Sequence, residues 1–301
     1  MTRYCILYNP VAGRRCNRAR IAALQAKLGE GAELRPTPGP DCAAELARQA
    51  ALDGFDVVVA AGGDGTVHEV ASGLLDADRP DVGFLVFPVG SANDYAHSLL
   101  REYGDAVRWP NLGTRVDVGR VSGLNDHGAW FVNSCGLGFS AMVTIESRAI
   151  RRLRGTLLYG LATLHAMRKH FFVQDWQVAI DDAAEQLEPT LMLSVLNGRR
   201  EGNFILAPDA RLDDGHFDYV LAGRVSRWDI IRLLPSLATS GPPKEYPNVK
   251  TGQCRQLVVE SKTPIAAHVD GEILARPEHG RLRATIEVVE RRLQVAVVEP
   301  D

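Results

Sequence analysis

The chain has 301 residues, 46% hydrophobic and 24% charged, with a formal net charge of -3. That length buries a large core in one large or two medium domains, and the composition is that of a globular protein. The slight acidic balance excludes a general nucleic-acid binder, which carries a basic excess. In chain order, Tyr4–Tyr8 reads as a short apolar strand, and residues 17–29 have helical spacing that ends on Gly29. A second helix fits 41–53 with Asp41 as its N-cap, then a strand at 55–61, a helix from about Thr66 to Leu75, and a strand at 82–87. Strands that are apolar throughout and separated by helices predict a parallel sheet covered on both faces, so residues 1–115 are expected to form an α/β domain.

After about residue 115 the pattern changes to many short strand-like segments joined by turns rich in Gly, Asp and Asn. One helical stretch, roughly 140–170, interrupts them, and the loop at 240–252 is the most irregular piece. Many strands with few crossovers predict a mostly antiparallel β-sandwich over 116–289, with a tail at about 290–301 free to return to the first domain. The five cysteines are scattered without a CxxC pair, so no disulfide framework or zinc site is expected and a cytoplasmic setting with reduced thiols is. No apolar run approaches the roughly 20 residues of a membrane helix, and the N-terminus lacks a signal-peptide layout. Contact with a membrane is therefore expected only from its surface.

The stretch VVVAAGGDGTVHEV (57–70) carries the strongest chemistry. A parallel strand that ends in Gly62-Gly63-Asp64-Gly65-Thr66 and enters a helix sets bare backbone N–H groups at a helix N-terminus, where glycine lets a phosphate approach. It also lies at the carboxyl ends of the strands, where open α/β sheets bind ligands. The plainer reading is a tight turn needing glycine for positive φ, but that leaves Asp64 unexplained. Its charge repels a phosphate unless a metal ion or a hydrogen-bond donor stands nearby. No GxxxxGK[ST] occurs, and the Rossmann pattern fails here; a GxGxxA match at Gly136–Ala141 lacks its acidic partner and reads as coincidence. Two further loops follow predicted strands at the same sheet edge, NPVAGRR (9–15) and PVGSAND (88–94). Three such loops make a nucleotide site the leading reading.

In order and spacing, NPVAG, GGDGT and PVGSAND resemble the catalytic domain of the diacylglycerol kinase family, which includes bacterial lipid kinases and the sphingosine and ceramide kinases. APDARLDDGHFD (207–218) and HVDGE (268–272) resemble the family's second-domain motifs, so the likeness spans nearly the whole chain. GGDGT alone is less specific, because NAD kinases and phosphofructokinases carry similar loops, and the resemblance implies a first domain of that kind. It implies ATP in a cleft near Asn9, Pro10, Gly13, Thr37, Gly62 to Thr66, His68, Ser91 and Asn93. It further implies Mg2+ held by Asp214 with the backbone carbonyls of Arg211 and His216, and a catalytic base among Asp270 and Glu272. Two departures stand out: Ser91 replaces the usual threonine but keeps the hydroxyl, and REGNF (200–204) replaces a glycine-rich run.

Independently of the family, phosphoryl transfer needs a metal, positioning, and a base for the attacking hydroxyl. Asp64, Asp94 and Asp214 are candidates for direct or water-mediated Mg2+ contact. Asp94 also reads as the N-cap of a helix starting at Tyr95, and LDDGHF as a β-turn. If IAAHVDGE stays extended, Asp270 and Glu272 share a face with Gly271 between them; the alternative is a turn. His68, His97, His216 and His268 lack metal-ligand spacing and read as ordinary surface or core residues. The helical stretch carries Arg148, Arg151, Arg152, Arg154, Arg168 and Lys169, either a solvated basic face or a surface for anionic lipid.

The leading function is an ATP-dependent lipid kinase that phosphorylates a lipid hydroxyl such as that of diacylglycerol. It would act in the cytoplasm, peripherally at the inner membrane face, and a homodimer is compatible with this reading. The alternatives are a kinase of a soluble acceptor such as NAD, or a non-catalytic regulator that binds nucleotide or lipid.

Overall fold

The computed structural model describes every residue except 1, 11–15, 40, 151, 152, 154, 244 and 301, and for 16 and 17 the backbone alone. The chain divides into two units, Met1–Asp117 with Glu290–Asp301, and Val118–Val289. The first alternates β1 (Tyr4–Tyr8), α1 (Cys16–Leu28), β2 (Ala32–Pro36), α2 (Ala43–Leu52), β3 (Val57–Gly62), α3 (Asp64–Asp76), β4 (Gly83–Pro88) and α4 (Asp94–Tyr103). Its strands lie in the order β2-β1-β3-β4, all parallel. Val295–Val297 adds a fifth strand parallel to β4. Every residue of β3 is buried, which is why the sequence there shows no polar alternation. On one face Ile21 and Leu24 of α1 meet Ile6, Val59, Leu85 and Phe87 of the strands. α2 and α3 approach so closely that a Cβ on Gly73 would stand 2.0 Å from the Ala44 carbonyl oxygen.

The N-terminus of α2 departs from expectation. Asp41 is not its cap: the cap position is Cys42, with no side-chain hydrogen bond, and Asp41 has φ +61. The free amide at Ala43 instead donates to Glu69 of α3 at 2.7 Å, so the donor is satisfied across the helix pair.

The second unit is built on β5 (Thr114–Ser122), β6 (Ala129–Phe131), β7 (Ser134–Gly138), α5 (Phe139–Ser147), α6 (Gly155–Lys169), β8 (Gln174–Ile180), β9 (Gln186–Thr190) and β10 (Met192–Leu196). It continues through β11 (Arg200–Glu201), β12 (Phe204–Ile205), β13 (Phe217–Ala222), α7 (Arg227–Thr239), β14 (Val249–Cys254), β15 (Gln256–Ser261), β16 (Ala267–Val269), β17 (Glu272–Ala275) and β18 (Arg283–Val297). β5 starts, and β18 ends, in residues assigned to the first unit. One antiparallel sheet runs β14-β13-β10-β7-β16-β17, and in the other β15 pairs with β8 and with Arg283–Glu287 of β18. β15 alternates buried and accessible positions, as a strand with one covered face should. Trp176, Val178, Leu257, Val259 and Ile286 from one sheet meet Leu137, Leu193, Val195, Phe217 and Val269 from the other. This is the β-sandwich core.

The stretch at 140–170 is not one helix. α5 ends at Ser147 and α6 begins at Gly155, whose φ is +60. Cys5, Cys42, Cys135 and Cys254 are free thiols, and burial pushes Cys5 up to about 11 and Cys254 up to about 12, far from the reactive thiolate.

Candidate active site

In the first unit the pairing register brings the predicted loops to one edge. Tyr8 lies opposite Pro36 of β2 and Ala61 of β3, and Gly62 lies opposite Pro88 of β4. Asn9, Thr37, the glycine run and residues 89–94 therefore follow neighbouring strand ends. Thr37 is buried and its amide donates to the Tyr8 carbonyl at 2.9 Å. Asn9, Thr66 and His68 are half-buried, and Pro10 and Ser91 are exposed. Gly13 lies outside the described residues.

Positive φ, the plainer reading of these glycines, does not account for them. None of Gly62, Gly63 and Gly65 adopts a positive φ; Gly63, the cap of α3, is extended at φ -92 and ψ -172. What forbids a side chain is crowding. A Cβ on Gly62 would meet Thr66 Oγ1 at 2.3 Å, and one on Gly90 would meet the Gly63 Cα at 2.5 Å. Two loops thus touch backbone to backbone, leaving the first amides of α3 without bulk around them.

Asp64 holds these two loops together. Its Oδ2 accepts from the Asn93 amide at 2.9 Å and its Oδ1 from the Asp94 amide at 2.7 Å. The donors that its charge called for are the first amides of α4, whose partial positive charge favours a carboxylate. Asn93 sits in the left-handed region and closes its own loop, accepting from Gly90 N–H at 3.1 Å and donating to Gly90 O at 3.2 Å. Asp94 is a buried first residue of α4 rather than its cap, a place taken by Asn93. Asp117, which sequence reasoning passed over, is fully buried and accepts from the Arg291 amide at 2.7 Å.

In the second unit Asp270 and Gly271 do not extend a strand. Both have positive φ, +51 and +84, and Val269 pairs with Glu272, so they form the two-residue turn of the β16–β17 hairpin, as Asp-Gly favours. Asp270 points back into the unit. Its Oδ1 accepts from the amides of Asn133 and Ser134 at 2.8 and 2.9 Å, and its Oδ2 from Val132 at 2.9 Å. Glu272 instead pairs with the Arg148 guanidinium and keeps its side chain 34% exposed. Arg148 also donates to the Gly271 carbonyl at 3.3 Å.

Behind this hairpin lies a buried polar cluster that the sequence did not reveal. The Gly271 amide donates to His268 Nδ1 at 3.3 Å, which leaves the ring proton on Nε2. Nε2 stands 3.1 Å from Ser140 Oγ and 3.5 Å from Glu201 Oε1. Ser140 donates to Glu201, and Ser194 adds a second hydroxyl at 3.3 Å. Burial opposes the charge of Glu201, but His268 and the two hydroxyls hold its carboxyl below the ordinary range. Gly136 makes room for the cluster, since a Cβ there would meet His268 Nε2 at 2.3 Å and Ser140 Oγ at 2.5 Å. The one sequence signal was REGNF, where Glu201 stands in a segment expected to be glycine-rich.

Asp214 sits in a turn in the second unit. Its Oδ1 accepts from the His216 amide at 3.0 Å, and its carbonyl accepts from His216 Nδ1 at 2.8 Å; Arg211 reaches Asp213 at 3.2 Å. Asp94 belongs to the other unit. Among the described residues no three His, Cys, Asp or Glu side chains converge on a metal position. One carboxylate with two backbone carbonyls is an all-oxygen donor set of the kind a hard cation takes; nearby, burial, partly offset by a hydrogen bond from Gln253 and helped by the carboxylates of Asp214 and Asp209, pushes Asp218 above its ordinary value.

Residues 3–119 match the model described as diacylglycerol kinase catalytic domain, and residues 133–297 match the YegS C-terminal NAD kinase beta sandwich-like domain. The chain belongs to the diacylglycerol kinase family. It is 29% identical over 285 residues to a diacylglycerol kinase of Bacillus subtilis, covering 90% of each chain. It is 27% identical over 307 residues to one of Staphylococcus aureus, covering 96% of this chain and 90% of that protein. A crystal structure of a putative diacylglycerol kinase from Bacillus anthracis superposes with a TM-score of 0.73 at 19% identity, covering 97% of this chain and 96% of the other. An NAD kinase from Archaeoglobus fulgidus in complex with ATP shares the fold with a TM-score of 0.52 at 14% identity, covering 97% and 92%. These likenesses place the two-unit architecture among the NAD kinase-like folds.

Proposed function

We propose that the protein is an ATP-dependent lipid kinase that moves the γ-phosphoryl group onto a lipid hydroxyl such as that of diacylglycerol, as a cytoplasmic protein held peripherally at the inner membrane face. The observation that carries this reading is the edge of the first unit, where crowded glycine backbones and Asp64 fix the amides of two helix starts beside Thr66 and Ser91. Backbone amides at the start of α3 suit phosphate oxygens, and Asn9, Thr37, Ser91 and Asn93 supply further polar contacts. Mg2+ would neutralise phosphate charge during transfer; Asp214 with the carbonyls of Arg211 and His216 would hold one ion, and Asp94 with Asp64 would position another through water.

The hairpin divides the two acidic roles. Three backbone amides already occupy the Asp270 carboxylate, so it holds the turn in place. Glu272 is accessible and bound to a side chain, Arg148, rather than to backbone amides, so it is the group that takes the acceptor hydroxyl's proton as the oxygen bonds to phosphorus and ADP leaves. Incubation with γ-labelled ATP and a panel of diacylglycerol, a sphingoid base, phosphatidylglycerol and NAD tests the reading. Label in a lipid is the expected result; label in NAD alone, or in no acceptor, overturns it.

A further inference from the structure

The α6–α7 end of the second unit combines exposed aromatic and aliphatic side chains with arginines. α7 has no buried residue. It is fixed by its inner face, where Ile230 joins Ala166, Met167 and Phe171, and by Arg227, which donates to the Met167 carbonyl at 3.1 Å and lies over the Phe171 ring at 4.9 Å. Its outer face carries Trp228, 69% exposed, and Ile231, 37% exposed. One residue beyond Phe171, Phe172 is 54% exposed, and Leu164 on α6 is 42% exposed. Four exposed apolar groups of this size lie on elements that pack on one another through Ile230, Met167 and Phe171, the setting of an interaction surface.

The charge beside them says which. Arg168, four residues after Leu164 on the same helix face, has no ion-pair partner among the described residues. Arg224, three residues before Arg227, has among the described residues the Asp175 carboxylate alone as an ion-pair partner, at 3.9 Å, with both side chains more than half exposed. Arg232 stands one turn from Trp228. Asp229, the acid on this turn, is hydrogen-bonded in the Ser226 capping box and to the Tyr246 hydroxyl, with the Arg232 charge as a further, weaker attraction. Phe172 also borders a small apolar hollow of about 30 Å³ lined by Phe139, Met142, Trp176 and Leu191, so the apolar surface continues inward from the rim. Trp and Phe flanked by arginines is the composition of a surface that seats at the boundary between headgroups and acyl chains.

We propose that the outer face of α7 with the C-terminal end of α6 is the surface that docks on an anionic lipid bilayer, with Trp228 and Phe172 entering the acyl boundary and Arg168, Arg224 and Arg232 meeting headgroup phosphates. This rests on the lipid-kinase reading for its biological sense, but its test does not. Trp228 is the most exposed of the four tryptophans, so its fluorescence reports insertion directly. With vesicles of phosphatidylcholine and phosphatidylglycerol, emission should shift to the blue and be quenched by brominated acyl chains, and the response should fade as salt rises. Trp228→Ser should abolish the response, and Trp228→Ser or Phe172→Ser should weaken vesicle binding on the order of tenfold. The Arg224→Glu/Arg232→Glu double variant should reduce both binding and its salt dependence. Phosphorylation of a soluble short-chain diacylglycerol should be unchanged in all of them.

Binding of Trp228→Ser and Phe172→Ser to vesicles as tight as that of the wild type overturns the proposal. So does a dimer in sedimentation that Trp228→Ser dissociates, since the face is then covered by a second copy. A wild type that phosphorylates no lipid but still inserts Trp228 overturns the kinase reading and leaves the docking surface standing.

Discussion

Asp64 shows how a residue picked for chemistry is also held by structure. The sequence marks it out, because a carboxylate amid glycines repels phosphate unless something answers its charge. The answer, the Asn93 and Asp94 amides, lies about 30 positions away and is invisible to local reading. The same distance hid the reason for the glycines: Gly63 and Gly90 exclude each other's side chains, a contact that turn propensity does not encode. Asp64→Asn is therefore not a pure removal of charge, since one face of the amide presents N–H groups to an N–H donor. We expect it to abolish transfer and also to destabilise by about 1–3 kcal/mol; an unaltered thermal midpoint would contradict the bridging role. At the hairpin, Asp270→Asn should likewise lower the thermal midpoint, whereas Glu272→Gln should lose kcat with the KM for ATP preserved. A stable Asp270→Asn with no kcat, beside an active Glu272→Gln, would exchange the two assignments.

At the scale of elements, strand and helix identities in the first unit were legible because covered parallel strands are apolar throughout and the intervening helices are periodic. The break between α5 and α6 was not, because residues on both sides are good helix formers and only Gly155 interrupts them. The two helices are tied by Glu146 of α5, which is 11% exposed, with Lys169 of α6 at 3.0 Å and His170 at 3.3 Å. Burial works against the charge, but these two partners hold Glu146 below its ordinary value of 4.5. A carboxyl depressed in the folded state stabilises fully above the unfolded value and loses that contribution as pH falls through the folded one. Thermal midpoints should therefore fall more steeply below about pH 4.5 in the wild type than in Glu146→Gln. The variant itself should cost about 1–2 kcal/mol at neutral pH, modest because the Lys169 head is 60% exposed and screened by solvent. Parallel curves would mean that the pair does not tie the helices.

At the scale of the whole molecule, the chain closes on itself through its last strand. Val295, Ala296 and Val297 pair with Phe84, Leu85 and Val86, more than 200 residues earlier, and Val298 donates to the Val86 carbonyl at 2.9 Å. Trp109 donates to the Val297 carbonyl at 2.9 Å, and Arg108 pairs with Glu299. All of Val295 to Val298 are at most 3% exposed. Each buried valine contributes roughly 1.5–3 kcal/mol, so together they approach the 5–15 kcal/mol that is typical of a whole domain. A chain ending at Val289 would lose this strand and bare the β4 edge, whose Phe84, Leu85 and Val86 are fully buried, as an open template for aggregation. We expect that truncation to be insoluble, or to lose the cooperative unfolding of the first unit. A chain ending at Glu299 should unfold like the full length, because it keeps every contact named above. Calorimetry of the two side by side decides it: a 1–289 protein that is soluble with an unchanged thermal midpoint would show that the first unit stands without the strand that closes it.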